Sequence, residues 1–185
     1  MKVHRLKLAV NEYQSFLPKD SNVWQSEKLL MDGKSKKDMW SNIEFYILQT
    51  NLKKGNFFGG IPGAIVIDEA ARHELAFFWE ASGELLPLSY IGEKYYLFNS
   101  LNSYDLLDNE KTGWVYGQTT NKKIRISKYE FYSERFTETP LFKIPETIKT
   151  EILTVEGLKD SSDEFIHQVK ISKLKGLFFE EIWSD

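Results

Sequence analysis

Gly55-Asn56-Phe57-Phe58-Gly59-Gly60-Ile61-Pro62-Gly63, then Ala64-Ile65-Val66-Ile67-Asp68, then a stretch to Ser82, then Gly83-Glu84-Leu85-Leu86-Pro87-Leu88: this run decides the fold. Adjacent aromatics lead into a Gly/Pro loop. Ala64 to Ile67 is a short, wholly apolar strand. Asp68 is placed to cap a helix that runs to Ser82, with Gly83 as the residue after its last turn. Ala71, Leu75, Phe78 and Trp79 share one face of that helix, and Glu69, Arg72, His73 and Glu80 the other. Glu84 to Ile91 and Lys94 to Asn99 then read as a hairpin, with Gly92-Glu93 as a type II′ turn.

On the N-terminal side, Met1 to Val10 reads as an opening strand. Val10 to Ser26 is irregular and polar, with Pro18 and Asp20-Ser21-Asn22 as loop markers. Trp24 to Leu30 is expected to be a strand, with Asp32-Gly33 as a turn. Trp40 to Leu48 is a stronger strand, with Ile43, Phe45 and Ile47 on one face. On the C-terminal side, Asn102 to Asn109 reads as a short helix. Lys122 to Tyr132 reads as a strand whose parity breaks, so a bulge is expected near Ser127-Lys128. Pro140 and Pro145 bracket an extended Leu141-Phe142-Lys143-Ile144. Glu151 to Val155 reads as a strand. Ser161-x-x-Glu164 has the form of a capping box for a second helix. Leu177 to Trp183 is the final strand. Strands outnumber helices and connections are short. The expectation is one α+β domain over 1–185, with a mostly antiparallel sheet and two main helices at about 68–82 and 162–174. Residues 1–39 are expected as a peripheral N-terminal segment.

Composition narrows the function classes. Of 185 residues, 42% are hydrophobic and 15% aromatic, enough for a packed core. The net charge of −3 argues against a globally basic nucleic-acid binder. With no cysteine there is no disulfide, Cys-zinc site or thiol nucleophile, which suits a cytoplasmic location. The N-terminus lacks the apolar core of a signal peptide, and no apolar run is long enough to span a bilayer.

Motifs for chemistry are missing. His4, His73 and His167 have no metal-ligand spacing. No G-x-S-x-G elbow occurs. The glycines of 59–63 precede a strand rather than opening a helix, so they do not make a phosphate loop. Asp105-x-x-Asp108-x-Glu110 is one local acidic group, whereas glycosidase chemistry needs two carboxylates facing across a cleft. Lys122-Lys123-Ile124-Arg125-Ile126-Ser127-Lys128-Tyr129 mixes basic and aromatic residues as RNA-binding sheets do, but no RNP-type motif is present and the chain is acidic overall, so an alternating strand with a wet basic face is the expected reading. The expectation is a binding protein that is not an enzyme and carries no cofactor or metal.

Further segments join the opening run in order. They are Tyr95-Tyr96-Leu97-Phe98-Asn99, Leu141-Phe142-Lys143-Ile144-Pro145, and Leu174-Lys175-Gly176-Leu177-Phe178-Phe179-Glu180-Glu181-Ile182-Trp183. From about Trp40 onward, this order resembles the bacterial immunity-protein family once catalogued as DUF1629, also called immunity protein family 11 or the Myxococcus-type immunity domain. The resemblance implies an antidote of a polymorphic toxin system. Such a protein binds a cognate toxin domain in the cytoplasm and blocks it stoichiometrically, with no membrane and no direct nucleic-acid partner. The shared segments look like fold determinants, so specificity is expected on exposed charge. If the toxin is a basic nuclease, acidic groups are the natural contacts. Asp105, Asp108, Glu110, Asp160, Asp163 and Glu164 are the partner-binding candidates on that ground. Two alternatives stay open: a small-ligand or carbohydrate-binding module with Trp24, Trp40 or Trp114 as a flat platform, and a hydrolase with an unrecognised carboxylate or histidine site.

Overall fold

The apolar strand Ala64–Asp68 is apolar throughout because both of its faces are covered. In the computed structural model, which describes residues 1–41, 43–90, 92–137 and 139–185, Ala64 and Val66 enter one core cluster and Ile65 and Ile67 another. A buried strand with two packed faces cannot alternate apolar with polar. The elements in chain order are β1 (Lys2–Leu8), β2 (Ser15–Pro18), β3 (Phe45–Leu48), β4 (Phe57–Phe58), β5 (Ala64–Asp68), α1 (Glu69–Glu74), α2 (Ala76–Ser82), β6 (Gly83–Tyr90), β7 (Glu93–Ser100), β8 (Gly113–Tyr116), β9 (Lys123–Lys128), β10 (Leu153–Glu156), α3 (Phe165–Ser172) and β11 (Leu177–Ser184). All strand pairs are antiparallel, in the sheets β4-β5-β7-β6, β10-β1-β11, β2-β3 and β8-β9. The fold is α+β.

The four-stranded sheet is the centre. Val66, Leu86, Leu88, Tyr95 and Leu97 pack on Phe16, Met31 and Phe45. Ile65, Ile67 and Phe98 pack on the helices through Ala71, Leu75, Trp79 and Phe165. A third cluster joins Val3, Leu153 and Val155 to Phe142, Ile144 and Phe131. Residues 1–39 are therefore not peripheral. β1 is the middle strand of its sheet, and Val3 and Phe16 are fully buried.

Asp68 caps its helix by accepting from Ala71 N at 2.8 Å. The helix breaks at Leu75 (φ −117°), where the Trp79 indole donates to the Ala71 carbonyl at 3.0 Å and shares it with the Leu75 amide. Gly83 does not end the helix in a left-handed turn. Its φ is 173°, and glycine is needed because a Cβ there would lie 2.2 Å from the Asn99 carbonyl oxygen. The β6–β7 hairpin forms as expected, but Tyr90 pairs with Glu93. Gly92 (φ 75°) is thus second in the connection rather than first. Ile91, the other half of that turn, lies outside the described residues.

Four further expectations change. Trp24 to Leu30 is two 3-10 turns, the first capped by Asp20 through Asn22 N, and not a strand. Trp40 to Leu48 is a strand only over Phe45–Leu48; Asn42 lies outside the described residues. Asn102 to Asn109 is not helical, because its backbone groups bond to other segments: Tyr104 N to Lys143 O, Asp108 N to Glu130 O, and Tyr132 N to Leu106 O. Ser161 to Glu164 is not a capping box. Asp160 caps a 3-10 turn there, while Glu164 turns back to accept from Gly157 N and Leu158 N, so α3 starts at Phe165. The bulge is present: Gly113 pairs with Lys128 and Trp114 with Ile126, leaving Ser127 as the extra residue.

Candidate functional site

Between Ile144 and Thr150 the chain makes a short ridge. Pro145–Thr147 is one 3-10 turn started by proline, whose missing N–H costs nothing at that position. The Ile148 amide closes the turn on the Pro145 carbonyl at 2.9 Å. Ile148 (φ 54°) and Lys149 (φ 57°) are then both left-handed. For a β-branched residue this conformation is a true outlier, costing about 1–3 kcal/mol. Local bonds hold it: Thr150 N and Thr150 Oγ1 both donate to the Thr147 carbonyl, at 3.1 and 2.8 Å.

The run that opened the sequence supports this ridge from beneath. Gly63 (φ 75°) approaches so closely that a Cβ would lie 3.0 Å from the Lys149 carbonyl oxygen and 3.2 Å from Met31 Cβ. A larger residue would be strained at this φ and would force the ridge or Met31 to give by a few tenths of an ångström. The Ile148 side chain itself points out, 82% exposed, the most exposed of the large apolar residues described.

A groove lies on each side of the ridge, and Ile148 and Thr150 line both. The larger, about 670 Å³, runs under β9 past Trp114, Lys123, Ile124, Arg125 and Tyr129. The smaller, about 310 Å³, is bounded by Trp24, Leu29, Leu30 and Pro62. Ile124 (65% exposed), Leu30 (55%) and Trp24 (40%) extend the apolar surface of Ile148 to both sides. Apolar side chains grouped at the surface beside charged groups are the kind of surface through which proteins associate.

Charges in the larger groove fall into two sets. Glu151 is engaged: Arg5 pairs with it, and Tyr129 Oη donates to it at 2.6 Å. Burial and then that carboxylate push the Tyr129 phenol well above its ordinary value. Glu146 accepts from Asn109 Nδ2 at 3.2 Å, with its other oxygen buried and unpartnered. Lys123 lies 4.1 Å from the centre of the Trp114 ring and 3.3 Å from Asn109 Oδ1. Among the described residues, Lys123 and Arg125 have no carboxylate at ion-pair distance, whereas Lys128, further along β9, has Glu130 at 2.6 Å. The arrangement has cations and apolar side chains free to meet a partner.

The six acidic candidates divide. Asp108 is buried; it accepts from the amides of Glu110 and Lys111 and pairs with Lys111 Nζ at 3.1 Å. Glu164 is buried on two backbone amides. Neither offers free charge to a partner, so both are withdrawn as contacts. Asp105, Glu110, Asp160 and Asp163 are exposed, with Asp105 3.8 Å from Arg135 and Asp160 capping its turn. No hydrogen bond or ion pair joins the 105–110 group to the 160–164 group among the described residues.

The three tryptophans form no shared platform. Trp40 donates to the Pro87 carbonyl and packs on the first core, Trp24 borders the smaller groove, and Trp114 packs on the third core under Lys123. The histidines sit on separate elements: His4 is buried on β1 with Nε2 2.7 Å from Glu156, His73 is exposed on α1, and His167 is half-buried on α3. Among the described residues no group of three acidic or histidine side chains is placed to hold a metal ion, and no helix is long and apolar enough to cross a membrane.

No protein-family model matches the chain, and no curated protein sequence matches it. The ridge was missed from sequence. Pro145 and the two threonines around Ile148 hint at a turn, but nothing in the sequence signals that an isoleucine is left-handed and presented to solvent.

Proposed function

We propose that this protein is an immunity protein that neutralises a cognate toxin domain by stoichiometric binding in the cytoplasm, without turnover. The observation that carries the reading is the Ile148 ridge. A strained backbone holds an isoleucine out into water between two grooves, where it contributes nothing to the core. Strain of this kind persists where the surrounding structure enforces it and clusters at functional positions. A rigid apolar knob flanked by grooves and unpaired cations is a protein-docking arrangement, and preorganisation lowers the cost of association. The ordered segments resembling immunity protein family 11 support the same reading. They build the floor of the site: Gly63 seats the ridge, and Leu141 to Pro145 leads into it.

The test is co-expression with the toxin domain encoded by the neighbouring gene. Cells carrying this protein are expected to survive the toxin, and the two chains to elute together as a one-to-one complex. Toxicity without rescue, together with separate elution, removes the proposal.

A further inference from the structure

Resting on that reading, we infer that the toxin-facing surface is the Ile148 ridge with the groove beneath β9, and that it receives an acidic, apolar segment of the partner protein. The sign is opposite to the one the acidic candidates suggested. Two of those six carboxylates are consumed by the fold, while the exposed apolar side chains lie beside cations. Lys123 and Arg125 line the groove from β9, neither with a carboxylate at ion-pair distance among the described residues. Of the groove's own carboxylates, Glu151 is paired with Arg5 and accepts from Tyr129, while Glu146 accepts only from Asn109 and keeps one oxygen unpartnered. The groove lining sets Arg5, Lys123 and Arg125 against Glu146 and Glu151, a slight positive excess in a chain of net charge −3. An acidic partner is drawn to it and a basic one repelled.

A single-stranded nucleic acid would also answer positive charge, but it needs open ring faces for stacking. In this groove Lys123 covers the Trp114 ring and Tyr129 is buried, while the exposed Trp24 lies in the smaller groove across the ridge, away from Lys123 and Arg125. Ile148 and Ile124 instead offer aliphatic contact, which suits a protein side chain. The occupant is therefore a protein segment with an apolar residue against Ile148 and carboxylates toward Lys123 and Arg125.

The test uses the full chain and the neighbouring gene's toxin domain, with binding followed by calorimetry and folding by thermal unfolding. Ile148→Asn removes the knob at a position where asparagine tolerates the backbone. It is expected to stay folded and bind at least about tenfold more weakly. Lys123→Glu with Arg125→Glu is expected to weaken binding by a similar factor and to flatten its salt dependence. Asp105→Lys with Asp163→Lys is expected to bind as wild type. If the wild type binds toxin and the first two variants bind equally well, the docking surface is wrong while the immunity reading stands. If the wild type neither binds nor rescues, both fall. Tight binding of a labelled single-stranded RNA oligonucleotide that is lost with Lys123→Glu and Arg125→Glu also overturns the inference.

Discussion

Lys143 is fully out of water, with Nζ donating to the Met31 carbonyl at 2.9 Å. Burial drives its pKa down from 10.5 to about 8; Asp32 opposes the shift, and Lys149 and Lys36 add to it. Because the folded value lies below the unfolded one, the unfolded chain holds more protons between these two values. Stability therefore rises with pH from about 8 to 10.5, and the cost of the buried charge, about 3 kcal/mol, is complete below pH 8. Lys143→Met should erase this increment. Urea unfolding of both proteins at intervals from pH 7 to 10 checks it through the difference between them, in which other titrating groups cancel. A difference that does not change with pH refutes it. Ile148 poses the reverse case, a residue whose cost is in the backbone. Ile148→Asn should raise stability by about 1 kcal/mol, since relief of the left-handed strain is not offset by lost burial. Thermal unfolding reads this directly, and a lower midpoint would show that the side chain is structural after all.

At the scale of elements, Glu84 on β6 fastens the 32–37 segment to the central hairpin. Its carboxylate accepts from Ser35 Oγ at 2.6 Å, Lys36 N at 2.7 Å and Asn99 Nδ2 at 2.8 Å. Glu84→Ala strands the buried Lys36 amide and takes one acceptor each from Asn99 Nδ2, which keeps the Lys34 carbonyl, and from the exposed Ser35 hydroxyl; it should cost about 1–3 kcal/mol, with Glu84→Gln costing less because one acceptor remains. Urea unfolding gives the magnitudes, and hydrogen exchange at the Lys36 amide should accelerate first. An alanine variant as stable as wild type removes the clamp from consideration. None of this was readable in sequence, where Glu84 sits between Gly83 and Leu85 as one charge in a strand. β5, the Asp68 cap and the β6–β7 hairpin were readable because their causes are local: a β-branched run, an acceptor three residues before its donor, and a short connection. The segment 102–109 misled because its backbone partners are Lys143 and Glu130, far along the chain. Asp108 and Glu164 misled for a related reason. A carboxylate that folds back onto nearby amides looks, in sequence, like one that faces water. The ridge was least legible, because Ile148 is set by what Gly63, more than eighty residues earlier, leaves room for.

Across the whole molecule, the ends of the chain meet in one sheet, and that makes the first strand indispensable. β1 lies between β10 and β11, pairing Val3 with both Val155 and Trp183. It also divides its residues between cores: Val3 joins the cluster around Phe142 and Ile144, while Leu6 and Leu8 pack against the cluster of the helices. Phe142 and Ile144 lead directly into Pro145 and the ridge, so the frame behind the docking surface depends on the first eight residues. Removing residues 1–8 should leave β10 and β11 without a common neighbour and expose the third cluster. The expected result is loss of a cooperative thermal transition, binding of a hydrophobic dye, and no rescue from the toxin. The milder Val3→Ala should keep the fold, with a loss of about 1–3 kcal/mol on urea unfolding. It should also leave toxin affinity unchanged, because the ridge does not touch Val3. A truncated chain that unfolds cooperatively and still neutralises toxin would show that the four-stranded sheet holds the ridge alone, and that neither β1 nor its Arg5 in the groove is needed.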